Sequence, residues 1–243
     1  MSKAEGEAAE SLAEPQPDEG AAGLRQYVWD LPTRIFHWLL VALLGFSWWS
    51  AENDQMDWHY KSGLTVCGLV VFRLLWGLLG SGTARFGQFV RGPRAIWFYL
   101  RGEQPAPIGH NPLGGWSVVA LLLALVTQVA SGLFSVDVDG LESGPLSSLV
   151  SFDQGRLAAG IHEVSFNILL VLAGLHLLAV IFYLVARRRN LIGAMVTGYQ
   201  RASGQPVEVA RGGWIRLALA IAAAAFVVWL ITRSGTAPPP ATF

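Results

Sequence analysis

The sequence predicts an all-α integral membrane protein, and three observations predict it. Charged residues make up only 14% of the chain while 53% are hydrophobic, against about 25% charged and about 45–50% apolar in soluble domains. Mean hydropathy is +0.44. Five segments are apolar over a length that crosses hydrocarbon, which takes roughly 20 residues at about 1.5 Å rise each. Finally, basic and acidic residues alternate between successive connections instead of mixing.

The elements follow in order. Residues 1–27, rich in Glu, Ala, Pro, Asp and Gly, have no basic start leading into an apolar core. They read as a disordered tail and not as a secretory signal. The predicted spans are Ile35 to Ser50, Trp58 to Gly80, Leu113 to Val136, Leu157 to Ala186 and Gly213 to Ile231. The first is short unless Asp30 to Arg34 forms its opening turn, where Pro32 loses no intrahelical hydrogen bond. Gly92 to Arg94 and the following Ala-Ile-Trp-Phe-Tyr-Leu suggest a short interfacial helix, and residues 145–152 an interfacial segment. Residues 201–212 read as a linker, and 233–243, with Pro238, Pro239 and Pro240, as an extended tail. No internal repeat is present.

Lysine and arginine set the orientation. Arg85, Arg91, Arg94 and Arg101 follow the second span, and Arg187, Arg188, Arg189, Arg201 and Arg211 the fourth. Glu52, Asp54 and Asp57 follow the first; Asp137, Asp139, Glu142 and Asp153 follow the third. The expected topology is an amino terminus in the cytoplasm and a carboxyl terminus in the periplasm of a bacterial inner membrane. Most of the ten tryptophans stand near span ends, where an amphipathic ring favours the interface. The single cysteine, Cys67, excludes an intrachain disulfide and a Cys-x-x-Cys-His site for covalent haem attachment, and reads as a small packing residue.

Four histidines carry the chemistry: His37, His59, His162 and His176, each inside or at the start of a span. Ionisable side chains in hydrocarbon are costly and point to function. His162 and His176 are fourteen residues apart on one helix. The net rotation is about 40° and the rise about 21 Å, so both face one direction at two depths. Topology pairs His59 with His162 near the outer surface, and His37 with His176 near the inner one. Two bis-histidine sites stacked across a bilayer suit two haems and electron transfer. Zinc is the rival, but a compact zinc site gathers about four ligands around one ion. Here they come in twos, and only Glu163, beside His162, adds an intramembrane acid.

These residues resemble the bacterial di-haem cytochrome b-561 family, which includes the b-type subunits of nickel–iron hydrogenases and is related in design to membrane formate dehydrogenase gamma subunits. The matching stretches are Arg-Ile-Phe-His-Trp at 34–38, His-Tyr-Lys-Ser-Gly at 59–63 and Phe-Arg-Leu-Leu-Trp-Gly at 72–77. Further matches are Gly-His-Asn-Pro-Leu-Gly-Gly-Trp at 109–116, Ile-His-Glu at 161–163 and Gly-Leu-His at 174–176. They fall in family order across residues 28 to about 200. The resemblance implies a four-helix bundle over 28–200 that binds two haem b in its core, with His37, His59, His162 and His176 as axial ligands. The fifth span, 213–232, lies outside that pattern and is assigned packing or partner contact.

Haem propionates are anionic and pair with cationic side chains. Arg34 and Arg73 are placed to serve the inner haem, and Lys61 the outer one. Family members react with quinone near the inner haem, which makes His110 and Asn111 candidate quinone contacts. Asn111 also reads as an N-cap with Pro112 as first helical residue. The expected function is transmembrane electron transfer between a periplasmic c-type cytochrome or hydrogenase subunit and the quinone pool. That makes the chain an electron-transfer subunit and not an enzyme alone. The alternatives are a free-standing oxidoreductase moving electrons from superoxide or another small donor to quinone, and a structural anchor whose haems do not turn over. The acidic outer loops suit a basic partner. No nucleic-acid partner is expected.

Overall fold

The computed structural model describes residues 24–103, 108–139, 142–202 and 205–235. The expected tails, 1–27 and 233–243, fall mostly outside that range. The described residues form eight helices and one two-stranded sheet: β1 (Arg25–Tyr27), α1 (Leu31–Glu52), α2 (Met56–Leu79), α3 (Phe86–Phe89), α4 (Pro93–Leu100), α5 (Pro112–Phe134), α6 (Phe152–Val185), α7 (Leu191–Thr197), β2 (Tyr199–Arg201) and α8 (Trp214–Gly235). Five of them, α1, α2, α5, α6 and α8, are long and apolar enough to cross a membrane, one for each predicted span. The protein is an all-α membrane helical bundle.

Helix ends differ from the sequence expectation where a cap extends them. Asp30 accepts from the Thr33 backbone N–H at 2.9 Å, so α1 begins at Leu31 with Pro32 in its first turn. Ser151 and Gln154 form a reciprocal capping box that starts α6 five residues before the predicted Leu157. At 34 residues α6 is the longest helix, about 51 Å at 1.5 Å per residue, and so extends beyond a hydrocarbon layer of about 30 Å. The interfacial helix expected after Gly92 is α4, and a single 3-10 turn, Ser147–Leu149, lies within the segment expected at 145–152.

Packing centres on α2, which α1, α5 and α8 all touch. Val66, Val70, Phe72 and Trp76 of α2 form a buried cluster with Phe36 and Leu40 of α1, Leu122 and Leu125 of α5, and Ala220 and Ala224 of α8. The two alanines, four residues apart, let α8 approach closely, the usual solution where lipid gives no hydrophobic drive to associate. The fifth span therefore packs against the hub helix. By contrast α6 lies along α5 and makes no comparable packing with α1 or α2.

At the arginine-rich end the chain closes on itself. β1 pairs antiparallel with β2, Gln26 opposite Gln200; β1 uses the last residues of the expected tail, and β2 the end of the expected core with the first linker residue, Arg201. The buried Gln26 side chain donates to the Val207 carbonyl at 2.9 Å and accepts from its N–H at 2.7 Å, holding the approach to α8.

Candidate functional site

The four intramembrane histidines meet in two pairs. His59 of α2 faces His162 of α6 with ring centres 6.1 Å apart. His37 of α1 faces His176 of α6 at 6.5 Å. Aside from these pairs, Trp48 of α1 and Phe166 of α6 approach to 5.9 Å between ring centres. The seam between α6 and the α1–α2 pair is thus bridged by side chains at the positions that topology selects.

At the acidic end, backbone carbonyls fix the rings. His59 Nδ1 lies 2.9 Å from the Ser47 carbonyl, and His162 Nδ1 lies 2.8 Å from the Gln128 carbonyl. A carbonyl only accepts, so each Nδ1 carries the proton and each Nε2 keeps its lone pair. The same device recurs on both helices: Ser50 Oγ also donates to Ser47 O at 2.9 Å, and Ser131 Oγ to Gln128 O at 3.1 Å. The Gln128 side-chain amide lies 2.9 Å from His162 Nε2, and Ser165 donates to its carbonyl oxygen. Gly132 makes room for this ring, since a Cβ there would stand 2.8 Å from His162 Cε1. Gly63, one turn along α2 from His59, has nothing within 4 Å of its Cβ position.

The arginine-rich end is built differently. The buried Nδ1 of His37 and of His110, Nε of Arg34, and the hydroxyls of Thr33 and Ser81 have no hydrogen-bond partner among the described residues. Arg73 is 3% exposed, donates to the Ala84 carbonyl at 3.3 Å and lies 5.0 Å from the Phe86 ring centre. Asp30 is near enough to act on it electrostatically, but its two oxygens already accept from Thr33 N–H and from Trp76 Nε1, each at 2.9 Å. Arg34 donates to the Val196 carbonyl at 2.5 Å, tying α1 to α7. Lys61, at the other end, stands over the Trp58 ring at 4.9 Å.

His110 is enclosed between Trp29 and Phe89, whose ring centres are each 4.6 Å away. Burial pushes its imidazole down to about 3, with Arg73 and His176 adding to the shift. Asn111 caps α5, accepting from the Gly114 N–H at 2.7 Å. Its amide donates to the Tyr183 hydroxyl at 2.6 Å, which in turn lies 3.0 Å from the Tyr99 hydroxyl. Gln128, Ser131, Asp30 and Tyr183 did not stand out in the sequence. Gln128 had a signal, being the one side-chain amide in the α5 span.

Metal–imidazole bonds of about 2.0–2.1 Å, plus about 1.1 Å from ring nitrogen to ring centre, put two imidazoles on opposite sides of one metal ion about 6.3 Å apart. Both pairs, at 6.1 and 6.5 Å, fit that span. Three or more clustered His, Cys, Asp or Glu, as a compact metal site needs, occur nowhere among the described residues. Paired imidazoles inside a membrane bundle define a class, the membrane cytochromes b. Residues 28–198 match the family model described as prokaryotic cytochrome b561, and the chain belongs to that family. It is a membrane-embedded haem b protein of transmembrane electron transfer. No curated protein matches the chain significantly, and neither does any solved structure.

Proposed function

We propose that the chain carries electrons across the bilayer through two b haems, one held by His59 and His162 and the other by His37 and His176. The observation that carries this reading is the occurrence of two histidine pairs, each at iron-spanning separation, at opposite ends of one bundle. Haem b, when bound by these histidines, would supply reversible one-electron iron chemistry. The chain's own residues orient and charge-balance it. Ser47 O and Gln128 O hold the tautomer in which Nε2 ligates. The Gln128 amide, which lies on His162 Nε2, would leave that nitrogen free when haem is bound. Arg73 and Arg34 supply cationic partners for propionates at the arginine-rich end, and Lys61 at the other.

The arginine-rich end faces the cytoplasm of a bacterial inner membrane by the positive-inside rule, which puts the amino terminus inside and α8 ending outside. The His59–His162 site then exchanges electrons with a periplasmic c-type cytochrome or hydrogenase subunit. The His37–His176 site exchanges with membrane quinone, whose carbonyl the His110–Asn111 corner contacts.

The test is a reduced-minus-oxidised spectrum with a pyridine haemochrome assay on detergent-purified protein. Two low-spin b haems per chain are expected, falling to one in His59→Ala or His162→Ala and, separately, in His37→Ala or His176→Ala. One haem in the unmodified protein, or retention of both after any of these substitutions, overturns the assignment.

A further inference from the structure

We propose that the groove between α2 and α8 binds one anionic phospholipid of the bilayer, with an acyl chain in the groove and the phosphate between Lys61 and Arg233. The site stands apart from the histidine pairs and needs only the membrane-embedded fold.

The groove follows from how the two helices pack. A Cβ on Gly68 of α2 would stand 3.2 Å from Val228 of α8, and one on Gly212, just before α8, would stand 2.5 Å from the Trp76 indole of α2. The helices therefore run antiparallel, and the end of α8 lies beside the start of α2. Small residues, Gly68 and Ala224, hold them close. A groove of about 520 Å³ opens along the contact. Thr65, Phe72, Ala225 and Trp229 help to line it, and its other lining residues are aliphatic or glycine. The Thr65 hydroxyl is already engaged, donating to the Lys61 carbonyl at 2.8 Å. Small-molecule sites occupy about 300–1,000 Å³, so a run of methylenes fits here, whereas a polar ligand finds few partners inside.

The charges at the mouth complete the site. Most cations gather at the arginine-rich end; among the described residues only Lys61, Arg156 and Arg233 stand at the acidic end. Arg156 donates to the Val136 carbonyl at 2.8 Å. The other two belong to the groove. Lys61 lies four residues before Thr65 and seven before Gly68, on the same face of α2 and about 10 Å nearer the helix start than Gly68. Arg233 lies four residues after Trp229 and stands over its ring at 4.8 Å. Lys61 stands over Trp58 at 4.9 Å and forms no ion pair with any described residue. Each cation thus rests on an indole, a ring that favours the membrane interface, and the apolar groove runs inward from both. Two cations above an apolar channel match a lipid anion in both of its parts. A soluble anion would use the cations and leave the groove empty; a neutral lipid would do the reverse. Lys61 also follows His59 by two residues, about 200° round α2. Lipid phosphate and outer haem propionate therefore claim it from opposite sides of the helix, and Lys61→Gln separates the two claims.

The purified full-length protein is incubated with phosphatidylglycerol or with zwitterionic phosphatidylethanolamine of the same acyl chains, and retained lipid is counted by native mass spectrometry. One phosphatidylglycerol per chain is expected, in preference to phosphatidylethanolamine. The preference falls about fivefold in Arg233→Gln and is kept in Arg233→Lys; Lys61→Gln lowers it likewise. Ala225→Trp fills the groove and abolishes retention with both cations in place. If that variant does not assemble, the Arg233 pair decides. An unchanged preference in Arg233→Gln makes the cations interfacial anchors only and overturns the site. So does equal retention of the two lipids, displacement of phosphatidylglycerol by inorganic phosphate, or a Lys61→Gln protein that shifts the haem spectrum and retains lipid as before. None of these outcomes bears on the number of haems.

Discussion

At the residue scale, the acidic-end site depends on a side chain that is absent. Gly132 lies so close to the His162 ring that a Cβ would stand 2.8 Å from Cε1 and 2.9 Å from Nδ1. A methyl there displaces the imidazole, and a branched side chain expels it. Gly132→Val is expected to remove the haem at His59–His162 and keep the one at His37–His176, read as a fall from two haems to one per chain. Retention of two haems means that the ring does not hold this position in the loaded protein. The paired histidines themselves were legible in the sequence, because an imidazole inside an apolar run points to function. Their carbonyl partners were not, since a backbone oxygen at Ser47 or Gln128 is available at every helical residue until the neighbouring helix is placed. His110 shows the same limit. Trp29 and Phe89, which enclose it, are both distant in sequence. Burial lowers its pKa and favours the neutral imidazole, so any ligand in this corner would meet a hydrogen-bonding group and not a fixed charge.

At the element scale, Asn111 has two tasks that can be separated. Its oxygen caps α5 and its amide donates to Tyr183. Asn111→Asp keeps a capping carboxylate but loses the amide donor. Asn111→Ala loses both and costs about 1 kcal/mol of helix stability. If the corner contacts quinone, both variants slow quinone-dependent oxidation of the reduced haems, while only Asn111→Ala lowers the melting temperature. Unchanged oxidation in both removes Asn111 from the quinone site. The five spans follow from apolar length, and the start of α5 from Asn111 and Pro112. The strands did not follow: three-residue pairs such as Arg25–Tyr27 with Tyr199–Arg201 carry no periodicity, and their partners are more than 170 positions apart. The start of α6 was misplaced because Phe152, Asp153 and Gln154 look like loop until the Ser151–Gln154 box is formed.

At the scale of the whole molecule, the helices divide into two leaves. One is α1, α2 and α8; the other is α5 and α6, joined to the first mainly where α5 meets α2. Along the opposite margin the leaves meet through the two histidine pairs and the Trp48–Phe166 contact. On the two-haem reading, cofactor insertion would also be a closing step in biogenesis, each iron riveting two leaves whose own contact is mainly α5 against α2. Cells starved of haem are expected to make a protein cut by membrane proteases in the α5–α6 leaf, whereas haem-replete cells keep it whole, as seen by immunoblot at equal synthesis. Equal lifetimes would mean that the hinge is stiff without its rivets. On the two-haem reading the histidine pairs would also report to quality control, and a chain defective in either pair is expected to be cut sooner than the intact one.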